Sequence, residues 1–146
     1  MKKFFIGLGI TFLVIIILFV VFGGFAFLNA SKFTPSVEKF IASFYDHYNK
    51  QDFGYMFDSM ADEKFKKSGP RESFDKIMNG VWGKLGIAKE RKKGAWRLNY
   101  APDGVYFSVQ YTVIHEKGES TDSFVLKKYG DSWLMINYNV NSKELF

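Results

Sequence analysis

Hydrophobic positions follow three patterns along this chain. From Phe4 to Leu28 they run on without a charge. From Val37 to Leu85 they recur at i, i+3, i+4 and i+7, the spacing of a helix with one buried face. From Ala95 to Asn141 they alternate, the period of a strand with one buried face.

The first pattern predicts a membrane anchor. A bilayer core needs ~20 consecutive apolar residues in a helix, and Phe4–Leu28 is long enough to span it with some tilt. Its centre, residues 12–22, has no polar side chain. The rival is a cleaved signal peptide, with Leu28-Asn29-Ala30 as a tolerable cleavage site. Signal h-regions run only ~7–15 residues, so an uncleaved signal anchor over 1–30 is the reading taken. Lys2 and Lys3 place the amino terminus in the cytoplasm and the remaining domain, 31–146, outside it. No ionisable residue interrupts the run, which argues against a channel, proton relay or transporter. Gly7, Gly9, Gly23 and Gly24 could let another helix approach closely; the competing reading is ordinary glycine usage in a membrane helix.

The second pattern predicts three helices after a short linker, Asn29–Phe33. Thr34-Pro35 supplies an N-cap and a first helical position, followed by the stripe Val37, Phe40, Ile41, Phe44, Tyr45 and Tyr48. Asp52 caps a shorter helix that turns Phe53, Met56, Phe57 and Met60 inward. Ser68-Gly69-Pro70 opens a third, with Phe74, Ile77, Met78, Val81, Trp82 and Leu85 as its stripe and Gly86 as its end.

The third pattern predicts four strands in a meander. Ala95–Tyr100 places Trp96, Leu98 and Tyr100 on one face. Pro102-Asp103-Gly104 turns the chain into Val105–His115, where Val105, Phe107, Val109, Tyr111 and Val113 share a face. A hairpin loop, 116–119, leads to Thr121–Tyr129. Gly130-Asp131 then turns into Ser132–Asn141, which carries Trp133 and then Leu134, Ile136, Tyr138 and Val140. Helices followed by an antiparallel sheet make an α+β domain. A long alternating strand curls, so the sheet is expected to wrap the helices as a cone.

Composition narrows the chemistry. There is no cysteine, so an exported domain here holds together by packing, and thiol catalysis, cysteine metal sites and a lipoprotein anchor are excluded. The net charge of +5 includes Lys2 and Lys3, which leaves a mildly basic domain without a nucleic-acid signature. The excess of Lys over Arg fits a low-GC bacterium.

Several local words, taken together, resemble the nuclear transport factor 2-like (cystatin-like) superfamily, and within it the small exported bacterial members without assigned function. They are Phe44-Tyr45, Lys50-Gln51-Asp52-Phe53 with Met56 and Met60, the helix start Pro70-Arg71-Glu72-Ser73-Phe74, and the closing Gly130-Asp131-Ser132-Trp133-Leu134-Met135-Ile136. The likeness covers about residues 34–141 and implies fold more than function, because this fold hosts isomerases, hydrolases, transport adaptors and secretion subunits. The anchored arrangement also resembles the bitopic assembly subunits of type IV secretion systems. The resemblance further implies a homodimer through the open sheet face.

Catalytic candidates are thin. His47 and Asp46 sit at the edge of the first helix's stripe. His115 ends a strand beside a loop, where exposure is expected. Asp58, Asp62 and Glu63 read as caps or solvated acids. No catalytic residue is nominated, no metal-ligand spacing occurs, no glycine loop cradles a phosphate, and no cofactor is expected. Tyr45, Tyr48, Trp82, Trp96, Tyr100, Tyr111 and Tyr138, with Phe107, are candidate linings of an aromatic cone for an apolar or amphipathic ligand; the competing role is core filling. Lys89, Arg91, Lys92 and Lys93, with Arg97, form the most basic stretch, able to touch anionic headgroups or wall polymers; the competing role is a solvated loop whose lysines protect a sheet edge from aggregation. Lys64, Lys66, Lys67 and Arg71 form a second.

The function that follows is a membrane-anchored extracytoplasmic interaction module, a subunit or adaptor in an envelope or secretion assembly. The alternative is a binder of a small amphipathic ligand in the cone, and an isomerase- or hydrolase-like enzyme is the third reading. An adaptor predicts a filled cone and an exposed apolar patch on the sheet, a binder an empty, aromatic-lined cavity, and an enzyme a buried carboxylate or histidine facing the cone.

Overall fold

Helix α1 occupies 31–49 in the computed structural model, which describes residues 31–146. The run Phe4–Leu28 and the candidate cleavage site lie outside the described residues, and no described helix is long and apolar enough to cross a membrane. Residues 31–33 are helical, where the sequence predicts linker and a cap at Thr34. No glycine breaks 31–34, and Pro35 withdraws only its own N–H from the ladder. The stripe Val37, Phe40, Ile41, Phe44, Tyr45 and Tyr48 is buried throughout.

Helix α2 is Phe53–Met60, capped by the Asp52 side chain, which accepts from the Tyr55 N–H. Its buried residues are the predicted Phe53, Met56, Phe57 and Met60. A one-turn helix that the pattern does not reveal, α3, spans Glu63–Lys67. Helix α4 spans Arg71–Leu85 and ends at Gly86, whose φ of 74° is the left-handed conformation that glycine adopts freely. Its buried strip is Phe74, Met78, Val81 and Leu85. Ile77, expected in that strip, is 61% exposed, and Trp82 is half-buried. The helix meets its neighbours along a single i, i+4, i+7, i+11 ridge, which is narrower than the predicted stripe.

Four strands follow as an antiparallel meander in the order β1-β2-β3-β4. They are β1 Ala88–Ala101, β2 Gly104–His115, β3 Glu119–Tyr129 and β4 Ser132–Asn141. Residues Ser36–Phe146 form one compact unit. The helix-facing side of β2 is the predicted one, with Phe107, Val109, Tyr111 and Val113 buried.

Two features of the sheet depart from the pattern. Strand β1 begins seven residues before Ala95, so the basic stretch read as a loop is strand. It pairs with β2 through a bulge: Lys93 opposes Tyr111 and Trp96 opposes Val109, so Gly94 and Ala95 together face Gln110. A bulge of two residues against one shifts the alternation of everything beyond it. Arg91 and Lys93 therefore join Trp96, Leu98 and Tyr100 on the helix-facing side. In β4 the phase also breaks later than predicted. Leu126 pairs with Met135 and Val125 with Asn137, so Ile136 is the extra residue. Trp133 and Met135 are buried while Leu134 is only partly so.

Candidate functional site

Strand β3 places Ser120, Asp122, Phe124 and Leu126 on its buried face. Two of these are polar, and Asp122 is 1% exposed. A buried carboxylate must have partners, and α1, β3 and β4 supply them. The Tyr45 hydroxyl donates to Asp122 Oδ2 at 2.5 Å, the Tyr138 hydroxyl donates to the same oxygen at 2.9 Å, and Ser120 Oγ lies 2.6 Å from Oδ1. Beyond the serine, His115 Nε2 is 2.9 Å from Ser120 Oγ. The other ring nitrogen, Nδ1, is 3.4 Å from the Gly86 carbonyl oxygen, which also accepts from the Tyr48 hydroxyl at 3.1 Å.

The Ser120 hydroxyl has one proton, so the chain from Asp122 to Gly86 has two self-consistent arrangements. If Ser120 donates to Asp122, His115 must donate from both nitrogens and carry a charge. If Asp122 is protonated on Oδ1 and donates to Ser120, the serine donates to Nε2 and neutral His115 keeps a proton only on Nδ1. Burial raises the Asp122 carboxyl above its ordinary range, against the pull of its three hydroxyl donors. Burial also lowers His115, against the Gly86 carbonyl and Asp122. Both effects favour the neutral arrangement. Burial, and then the Asp122 charge, likewise push Tyr45 and Tyr138 well above the usual phenol range.

His115 is 5% exposed, which corrects the expectation of a solvated strand end. It continues the inward phase of Val109, Tyr111 and Val113, and the α4 terminus closes over it. Asp122 went unrecognised in the sequence. The signal was present, since it shares a phase with Phe124 and Leu126, and an acid in that phase requires internal partners. The other acids and His47 fall outside this cluster. Asp58 is exposed and pairs with Arg71 at 3.1 Å. His47 pairs with Asp52 at 3.1 Å and stacks on Tyr55. Asp62 is buried as the N-cap of α3, accepting from the Lys64 N–H at 2.7 Å and from the Tyr129 hydroxyl.

The aromatic residues expected to line a cone divide into three places. Tyr45, Tyr48 and Tyr111 are at most 2% exposed. With Tyr138 they form one packed cluster around Phe44 and Phe124, whose rings meet edge to face at 4.9 Å. Phe124 lies 5.0 Å from the Tyr138 ring and 6.3 Å from that of Tyr111. Trp82 lies on α4, and its buried indole N–H has no partner among the described residues. Trp96 and Tyr100 stand on the edge strand β1, 40% and 59% exposed.

The four basic residues do not share a face. Lys89 is the extra residue of an irregularity between Ala88 and Glu90, and Lys92 opposes Thr112 on the face away from the helices. Arg91 lies over the Tyr45 ring at 5.1 Å. Lys93 is 3.4 Å from Glu38, the carboxylate that accepts from the Tyr111 hydroxyl at 2.7 Å. Trp96 stacks on Phe107 at 5.7 Å, and Lys93 reaches over both rings. The helix-facing end of β1 is thus an aromatic ledge whose near cations are already engaged. Among the described residues no group of His, Asp and Glu could hold a metal ion.

The order of helices and then a four-stranded antiparallel meander is the α+β arrangement that the hydrophobic pattern predicted. No protein-family model matches the chain, and no curated protein matches it. Among solved structures it is similar to Bd1075 from Bdellovibrio bacteriovorus, with a TM-score of 0.49 and 16% identity over 75% of this chain. The chain spans 41% of that protein's length. It is also similar to Aln2 from a Streptomyces species, with a TM-score of 0.48 and 15% identity over 78% of this chain and 93% of Aln2. A scytalone dehydratase candidate from Novosphingobium aromaticivorans gives a TM-score of 0.47 at 10% identity, over 77% of this chain and 85% of the other. At such identities nothing of their chemistry passes to this chain.

Proposed function

We propose that the chain is a membrane-anchored extracytoplasmic interaction module, a subunit or adaptor in an envelope or secretion assembly, and acts by binding rather than by catalysis. The observation that carries this reading is the closed state of the described groups best suited to acid–base work. Asp122 and His115 are bound to each other through Ser120 and capped by Tyr45, Tyr138 and Gly86. A general base needs a free lone pair within reach of substrate, and the rings of Tyr45, Tyr138 and Tyr48 lie against these two groups.

What the domain offers to a partner is on its surface. Trp96 and Tyr100 are the type of residue that anchors protein interfaces. The uncharged run Phe4–Leu28 after Lys2-Lys3 supports anchoring with the domain outside the cytoplasm.

Crosslinking of the full-length protein in its native membranes, followed by purification and mass spectrometry, tests this. Wild type is expected to recover a stoichiometric protein partner, and the double variant Trp96→Ala, Tyr100→Ala to lose it. Recovery of the chain alone, or of the same partner by the double variant, would sink the reading.

A further inference from the structure

A groove of about 420 Å³ opens where α1, α2 and the β3–β4 turn meet. It is separate from the Asp122 cluster and from the β1 ledge, and it does not depend on the adaptor reading. Its volume falls within the roughly 300–1,000 Å³ of small-molecule sites. The floor is apolar, made by Phe40, Met60 and Trp133, each at most 9% exposed. The walls carry Lys39 and Ser43 from α1, Tyr55 and Ser59 from α2, Asp131 from the turn and Ser132 from the start of β4.

The six polar side chains of the walls face the groove with their capacity open. None of them hydrogen-bonds or ion-pairs through its polar side-chain atoms with another described residue. In the Asp122 cluster, by contrast, the carboxyl is bonded to three hydroxyls, and Lys93 and Tyr111 share Glu38. Here hydroxyls from three separate elements converge around one concavity with their capacity open. A serine hydroxyl both donates and accepts. A lining built mainly from hydroxyls therefore complements a ligand that itself presents groups able to do both.

Charge narrows the class. Lys39 and Asp131 contribute one group of each sign, so a ligand of either net charge gains from one and loses to the other. Tyr55 supplies an aromatic face: its ring is stacked on His47 at 4.0 Å with 17° between planes, and the residue is still 44% exposed. A sugar ring has hydroxyls around its rim and C–H groups on its faces, so it uses both the walls and the aromatic surface. We propose that this groove is a binding site for a neutral saccharide.

The test uses full-length protein in lipid nanodiscs, which avoids sugar-headed detergents. Chitotetraose, cellotetraose and maltotetraose are the neutral probes. Oligogalacturonate, oligoglucosamine and trialanine are the charged and peptide controls, and binding is read by saturation-transfer NMR. At least one neutral tetrasaccharide is expected to saturate the protein with a dissociation constant no weaker than about 1 mM. Ser59→Phe, which fills the groove from an exposed position on α2, is expected to weaken it by about tenfold or more, with circular dichroism unchanged. Tyr55→Ala weakens it several-fold, and Trp96→Ala leaves it unaltered. Lack of saturation by every neutral probe up to about 10 mM overturns the proposal. So does equal binding by Ser59→Phe, or preference for a charged probe or the peptide. Because Trp96 and Tyr100 lie outside the groove, loss of the protein partner and loss of saccharide binding are read by different variants.

Discussion

Asp122 and His115 are joined through a single hydroxyl, that of Ser120, which lies 2.6 Å from the carboxylate and 2.9 Å from the imidazole. One proton therefore decides the charge of both, and burial favours the form in which both are neutral. Asparagine reproduces that form. Its carbonyl can accept from Tyr45 and Tyr138, and its amide can donate to Ser120. Asp122→Asn is thus expected to cost little stability, whereas Asp122→Ala strands two phenol hydroxyls at about 1–3 kcal/mol for each unsatisfied group. Urea unfolding of both variants checks this, and a severe asparagine variant would mean that the carboxylate is ionised.

The same pair sets a pH dependence. Asp122 has a raised folded pKa, so in the window above its ordinary value of ~3.9 the folded state holds a proton that the unfolded chain has lost. Its stabilisation is complete below that value and falls as pH rises through the window. His115 has a lowered folded pKa, so its contribution is complete above ~6.5 and falls as pH drops towards the folded value. The two oppose each other between about pH 4 and 6.5. Asp122→Asn removes the first and, by taking away the Asp122 charge that raises His115, lowers His115 further, which acts in the same direction. Its melting temperature relative to wild type should therefore be higher at pH 7 than at pH 4.5, and a flat difference would contradict the assignment.

Gly86 and Gly80 make a matched pair of glycines on one helix with opposite expected signs. Gly86 has a φ of 74°, and a Cβ there would lie 2.7 Å from Glu116 Oε2 and 3.2 Å from its Cβ. That carboxylate accepts from the Ile87 N–H. Gly86→Ala is expected to destabilise by about 1–2 kcal/mol through backbone strain and the displaced acid. Gly80 sits inside α4 with nothing within 4 Å of an added Cβ, so Gly80→Ala should stabilise by up to about 1 kcal/mol. Chemical denaturation reads both. A neutral Gly86→Ala would show that the helix end relaxes freely.

Periodicity made most of the fold legible, and the failures have separate physical causes. The 105–115 alternation, the caps at Asp52 and Gly86 and the buried strip of α2 were all readable, because each follows from one local rule. Strand β1 was cut short because five cations in nine residues look like a solvated loop. An edge strand tolerates them, since one side of its backbone is free. The phase of β4 went wrong because a bulge at Ile136 is set by its partner strand, which a single-strand pattern does not contain. Asp122 and His115 are long-range partners, and only their inward phase hinted at burial. The groove was invisible because Ser43, Ser59 and Ser132 have no periodic signature and come from three elements.

The β1 edge yields the last prediction. Strand β1 is a long edge strand, and on the face away from the helices it presents Lys92 opposite Thr112 and Arg97 opposite Ser108. Neither side chain forms an ion pair with a described residue. Unpaired cations there add nothing to the fold by attraction, and their effect is to repel a second strand. Replacing both with the strand-forming apolar Val should leave the domain folded, or slightly more stable, yet remove the barrier to edge pairing. Lys92→Val, Arg97→Val is expected to self-associate at concentrations where wild type does not, as read by light scattering, with a gain in strand signal in the infrared amide band. A double variant that scatters like wild type would mean that the bulge at Gly94 and Ala95 protects this edge by itself.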